Sequence, residues 1–151
     1  MITVPKEVVD CINSQRTGVL AVRMLDGTPH GATLHFAYKL EPLIFIFLTS
    51  PSYRKLEPLR SGDTPATFVV GTTEEFNKTL QMDGVAKLND FEECREIYFA
   101  KFPEKLNKHP DDVFFIFTPT WWRLTDWTLP QGKTIWLSDG TVTVSERNTK
   151  N

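Results

Sequence analysis

Residues 19–38 read VLAVRMLDGTPHGATLHFAY. The flanks 18–25 and 30–38 are rich in β-forming residues, and Asp26-Gly27-Thr28-Pro29 between them is turn chemistry. Asp and Gly tolerate left-handed backbone, whereas Pro cannot continue a ladder. The stretch therefore predicts a β-hairpin.

Working outward, residues 43–49 (LIFIFLT) are apolar without interruption, which predicts a third strand buried on both faces or at a subunit contact. The strand stops at Thr49-Ser50-Pro51. Ser50 or Ser52 is placed to cap a helix over 52–60, with Pro51 near its first turn and Pro58 limiting its regularity. Strands follow at 65–71 and 78–88, joined by a turn around Thr72–Phe76, and Gly84 marks a bulge in the second. Asn89 or Asp90 opens a helix over 91–102, with Phe91, Cys94, Ile97, Tyr98 and Lys101 as one stripe. Residues 113–118 and 120–128 read as two strands around Pro119, and 132–137 as a short last one. Upstream, Val4, Val8, Val9 and Ile12 give a short amphipathic helix over 4–16. Six or seven strands in hairpin order with three short helices predict a mainly β protein, a six-stranded antiparallel barrel, over a single domain 1–137. The polar tail 138–151 is expected to fray.

The chain has 151 residues, 40% of them hydrophobic and 24% charged, ample for one core without a staple. A net charge of −2 and a pI near 5.9 give no electrostatic footprint for nucleic acid or an anionic membrane. Cys11 and Cys94 lie far apart without metal-ligand spacing. Neither a signal peptide nor an apolar run of membrane length is present, so a cytoplasmic location is expected.

Chemistry concentrates in Thr49-Ser50-Pro51-Ser52-Tyr53-Arg54-Lys55. Hydroxyls donate hydrogen bonds to an anion, Arg offers a fork and Lys a point charge, so the cluster suits a phosphate. A solvated helix face would read the same way. Thr33, His35 and Tyr38 could point from a strand toward a ring system, yet no acidic partner stands at triad spacing. Gln81, between Leu80 and Met82, requires a partner, either a ligand or a neighbouring strand. Alternation puts Trp121, Arg123, Thr125 and Trp127 on one face and Trp122, Leu124 and Asp126 on the other. One face is left for a ligand or for a second subunit.

In order, the hairpin at 19–38, the segment FIFLTSPSYRKLEPLRSG at 45–62 and KTLQMDGVAKL at 78–88 resemble the FMN-binding split barrels related to pyridoxamine 5′-phosphate oxidase and the general stress protein 26 group. The resemblance spans roughly residues 15–128. It implies a homodimer with FMN at the subunit interface. Arg54 and Lys55 would grip the FMN phosphate, with Ser50 and Tyr53 beside them. Ala32, Thr33, Leu34, His35, Phe36 and Ala37 would face the flavin, together with Leu48, Thr49 and Gln81, while Trp122 and Trp127 are candidates for stacking. The arginine-bearing motif near the C-terminus of the oxidases proper reads Arg123-Leu124-Thr125-Asp126 here, with Thr in place of His. A basic residue that is common at the start of the flavin-facing strand is replaced by small ones. The resemblance thus implies a flavin-dependent oxidoreductase of unassigned substrate, with no residue marked as catalytic acid or base. The alternatives are a non-catalytic module for FMN, deazaflavin or haem, and an empty dimerising barrel.

Overall fold

The computed structural model describes residues 3–71 and 73–145. Helix α1 (Lys6–Asn13) leads into β1 (Thr17–Arg23) and β2 (Pro29–His35), which pair antiparallel from Thr17 opposite His35 to Arg23 opposite Pro29. The expected turn is present: Gly27 sits at φ 86°, and Asp26 accepts hydrogen bonds from the Thr28 amide and hydroxyl. Beyond His35 the chain leaves this ladder, although a single strand was expected over 30–38. Buried Phe36, whose N–H donates to the Arg16 carbonyl, separates β2 from β3 (Ala37–Leu40), which pairs instead with β4 (Leu43–Thr49).

After β4 come α2 (Leu56–Ser61), β5 (Thr64–Val70), β6 (Lys78–Leu88), α3 (Glu92–Lys101), β7 (Val113–Asp126), β8 (Lys133–Leu137) and β9 (Val142–Ser145). All nine strands belong to one antiparallel sheet in the order β2-β1-β5-β6-β7-β4-β3, with β8 on β7 and β9 on β8. The expected mainly β split barrel is what forms, with nine strands among the described residues rather than six or seven.

Three boundaries differ from expectation. Residues 113–126 are one strand, because Pro119 falls where Thr120 is the extra residue between the pairs Asp83–Trp121 and Gly84–Pro119, so its missing N–H interrupts no ladder. Gly84 permits this: a Cβ there would lie 2.1 Å from the Thr118 carbonyl oxygen. The helix expected from 52 begins only at Leu56, since residues 51–55 form turns. Residues 142–145, expected to fray, form β9; residues 146–151 lie outside the described part.

The alternating pattern builds two apolar layers. Inside the barrel, Phe68 of β5 meets Phe36, Phe45, Phe47 and Phe117 at ring separations of 5.1–6.1 Å, mostly edge to face, and Val8 and Ile12 of α1 and Leu56 and Leu59 of α2 join this core. Outside, α3 lays Cys94 and Tyr98 over Ala37, Ile46, Phe114 and Ile116. Neither Asn89 nor Asp90 caps that helix: Phe91 is the N-cap, without a side-chain cap bond, and Asn89 instead accepts the Phe91 N–H at 2.9 Å in the turn that leads into it.

Candidate functional site

The sheet has two ends that do not zip together. β2 pairs only with β1, and β3 pairs with β4 only as far as Ile46, so the edge Phe47–Thr49 that faces away from β7 carries no ladder. This is the split of the barrel, and most of the residues singled out by sequence border it. On β2, Ala32 and Leu34 are half-buried opposite Leu20 and Gly18, while Thr33 and His35 are exposed on the outer face. At the end of β4, Leu48 packs outward under α3, and Thr49 points into the barrel, 3% exposed. The Thr49 hydroxyl is buried without a hydrogen-bond partner among the described residues.

The chain then turns. The Ser50 and Ser52 hydroxyls lie 2.9 Å apart, the Ser52 amide points at Ser50 Oγ, and Arg60 donates to the Pro51 carbonyl, which ties the turn to α2. The neighbouring cations part company here. Arg54 is exposed, and its charge reaches Asp26 in the β1–β2 turn; that carboxyl is held below its usual range chiefly by Thr28 and additionally by Arg54. Lys55 turns inward, 5% exposed, with Nζ 4.5 Å from the centre of the exposed Tyr53 ring. Burial pushes its pKa down, and no carboxylate lies within ion-pair distance of it among the described residues. A buried hydroxyl without a partner is unfavourable unless something polar completes it, and a lysine whose stem is buried keeps its ammonium available to an anion.

A second group of cations, which sequence reading passed over, lies past the lower end of β2. Phe102, just beyond α3, packs edge-on against His35 and lies under the Arg16 guanidinium and the Lys101 and Lys105 ammonium groups, at 5.0–5.4 Å. Lys101 donates to the Phe36 carbonyl at 2.7 Å, and burial, with Arg16 nearby, lowers its pKa to about 8. Burial and the charges of Lys105 and Arg16 hold His35 below its ordinary pKa, so its imidazole is neutral near pH 7. The signal was present in the stripe ending at Lys101, but a cation closing an apolar helical stripe also fits a snorkelling surface lysine.

Gln81 does not border the split within one chain. It lies on the outer sheet face in a row that runs Thr33, Val19, Val69, Gln81, Arg123, Leu137 across β2, β1, β5, β6, β7 and β8. Its partner is Arg123, whose Nη2 donates to Gln81 Oε1 at 2.7 Å, while Arg123 Nε is buried and unpaired. Nor are the two tryptophans brought to the split. Trp122 faces the barrel interior and lines a cavity beside Leu43, the far end of β4 from Thr49 and about 20 Å away at roughly 3.3 Å per residue. Trp127 lies beyond the end of β7, where its amide donates to the Asn77 carbonyl.

Among the described residues no cluster of His, Cys, Asp and Glu converges as metal ligands, and no helix is long and apolar enough to cross a membrane. The split is bordered by β2, with Ala32 and Leu34 half-buried, and by the end of β4, which the Thr49, Ser50 and Ser52 hydroxyls and the Arg54 and Lys55 cations follow. Hydroxyls and cations beside an open strand edge suit a ligand with an anionic tail.

Solved structures share this fold. A general stress protein 26-related protein of the pyridoxinephosphate oxidase family from Clostridium acetobutylicum superposes with a TM-score of 0.62 at 15% identity, covering 88% of this chain and 93% of its own. The general stress protein 26 of Bacillus anthracis gives 0.63 at 16% identity, covering 93% and 97%. The heme storage protein HutZ of Vibrio cholerae gives 0.60 at 20% identity, covering 78% and 90%. No curated protein sequence matches the chain. The family model for pyridoxamine 5′-phosphate oxidase matches residues 4–126, a span that takes in every element from α1 through β7. The chain belongs to the pyridoxamine 5′-phosphate oxidase family.

Proposed function

We propose that the protein binds FMN in the split between β2 and β4, as a homodimer, and serves as a flavin-dependent oxidoreductase. The observation that carries this reading is the buried Thr49 hydroxyl at the end of β4, which has no hydrogen-bond partner among the described residues, followed by Lys55, a largely buried lysine with no carboxylate in ion-pair reach among them. A phosphate ester there accepts from both, with Arg54 and the Ser50 and Ser52 hydroxyls at the rim, and charge-assisted bonds of this kind are about twice as strong as neutral ones. Ala32, Leu34 and the backbone of β2 then face the ring, with Tyr53 at its rim, while Thr33, His35 and Leu48 lie on the outer side of the sheet. Bound FMN supplies hydride or single-electron transfer; the protein contributes position and charge. The second subunit is expected on the outer face that carries Gln81 and Arg123, where Val19, Val69 and Leu137 are only half-buried by their own chain.

The test is the absorption spectrum of the purified protein, followed by titration of the variant Arg54→Ala/Lys55→Met, in which Met keeps the volume of the buried lysine stem. FMN affinity is expected to fall roughly a hundredfold or more, two decades at about 1.4 kcal/mol each, while the weaker binding of riboflavin, which has no phosphate, stays the same. A variant that retains full FMN affinity refutes the placement.

Haem is a second reading. It is favoured by the likeness to a heme storage protein and by the neutral His35 imidazole beside the cations Arg16, Lys101 and Lys105, which suit propionates. A Soret band in place of the two flavin bands would select it.

A further inference from the structure

The barrel wall has a notch at the end opposite the split. The β4–β7 ladder ends at Phe45 and Phe117, and the β7–β8 ladder starts only at Arg123, so β7 has no strand partner on that side over Thr118–Trp121. Behind the notch lies a cavity of about 460 Å³, within the size range of small-molecule sites. Three separate stretches line it: Thr3 and Val4 before α1, Leu40 to Leu43 around the β3–β4 turn, and Thr118, Pro119 and Trp122 of β7.

The chemistry of the lining restricts the occupant. Pro119 has no N–H and the Thr120 hydroxyl is already engaged with the Asp83 carbonyl, so the open stretch of β7 is a poor template for an added strand. Val4, Leu40, Pro42, Leu43 and the Trp122 indole are apolar. The polar groups are the hydroxyls of Thr3 and Thr118 and the carboxylate of Glu41, exposed at the rim. No cation lines the cavity among the described residues, which favours a neutral or cationic occupant over a phosphate.

We propose that this cavity is a second small-molecule site, which takes an aromatic amine with its ring against Trp122 and its ammonium at Glu41. The site shares no residue with the phosphate end of the split, and about 20 Å of β4 separates the two. Trp122 thus has a ligand role apart from the flavin.

Phenethylamine and 3-phenylpropionate, similar in size and opposite in charge, are the probes. Binding is read from the indole N–H resonance of Trp122, assigned with Trp122→Phe. Phenethylamine is expected to shift that resonance saturably, and 3-phenylpropionate to bind several-fold more weakly. Glu41→Gln should weaken phenethylamine about two- to fivefold, the range of an exposed ion pair, and should remove most of the discrimination. Leu40→Trp, at a position already 37% exposed, should close the mouth and abolish the shift while leaving FMN affinity unchanged. Absence of a saturable shift with either probe overturns the proposal, as do equal shifts with both probes that ignore Glu41→Gln. The flavin titrations report separately on the split, so neither reading can fail in the name of the other.

Discussion

Arg123 reaches Gln81 across the β6–β7 ladder with a 2.7 Å hydrogen bond, and the Nε of the same guanidinium is buried with no acceptor among the described residues. Half of this fork is satisfied within the chain. Removing the satisfied half is therefore more damaging than removing the whole fork. Gln81→Leu should destabilise by about 1.5–3 kcal/mol, the range for hydrogen bonds to charged groups, and Gln81→Leu/Arg123→Leu should recover most of that loss. Urea unfolding at fixed protein concentration measures both. A neutral Gln81→Leu would show that water supports the guanidinium as well as Gln81 does.

Thr49 allows stability and binding to be separated. Its hydroxyl is buried and unpaired, so Thr49→Val should leave the melting temperature of the flavin-free protein unchanged or higher. The same change should weaken FMN about two- to tenfold, one neutral hydrogen bond of about 0.5–1.5 kcal/mol. Loss of stability without loss of affinity would assign the hydroxyl a purely internal role.

Lys101 predicts a pH dependence with a definite sign. Its pKa is about 8 in the folded chain against an ordinary 10.5, so between those values the unfolded chain binds the extra proton and stability rises with pH. Below about pH 8 the cost of burying the charge is fully present. Lys101→Met removes that cost, so the stability difference between variant and wild type should be most favourable to the variant below pH 8 and should shift toward wild type by pH 10.5. Taking the difference cancels Lys55, Lys105, Tyr98 and Cys11, which are common to both proteins. A flat difference curve would mean that Lys101 keeps an ordinary pKa.

Phe68 is the centre of the aromatic core, with Phe36, Phe45, Phe47 and Phe117 around it. Phe68→Ala should cost about 3–5 kcal/mol in chemical denaturation, because the surrounding rings are held by β4, by β7 and by the break between β2 and β3 and cannot all collapse inward. A cost below about 1 kcal/mol, the scale of a small volume-conserving change, would mean that the barrel interior repacks freely.

The strength of local signals decided what could be read from sequence. The β1–β2 turn and the Gly84 bulge were legible because each depends on a residue whose backbone or side chain dictates the local geometry. Pro119 misled for the same reason: it ends most strands, and only the extra residue Thr120 opposite Gly84 lets β7 run through it. The break at Phe36 was invisible because no glycine, proline or turn-forming residue stands between His35 and Ala37 to mark the change of strand partner. At the site, the Thr49–Lys55 cluster was legible as chemistry, but the opposite directions taken by Arg54 and Lys55 were not. The Gln81–Arg123 pair joins residues 42 positions apart, and no periodicity reports such a pair.

The shared strand β7 carries a cost that falls during synthesis. β1, β2, β5 and β6 can zip together in the order in which they leave the ribosome, but β4 lies between them in sequence and its only partner besides the short β3 is β7, which begins at Val113. Until then Leu43–Leu48, the most apolar run in the chain, has nothing to pair with along one edge. A nascent chain stalled before residue 113 should therefore be the form that chaperones hold and that aggregates when they are scarce.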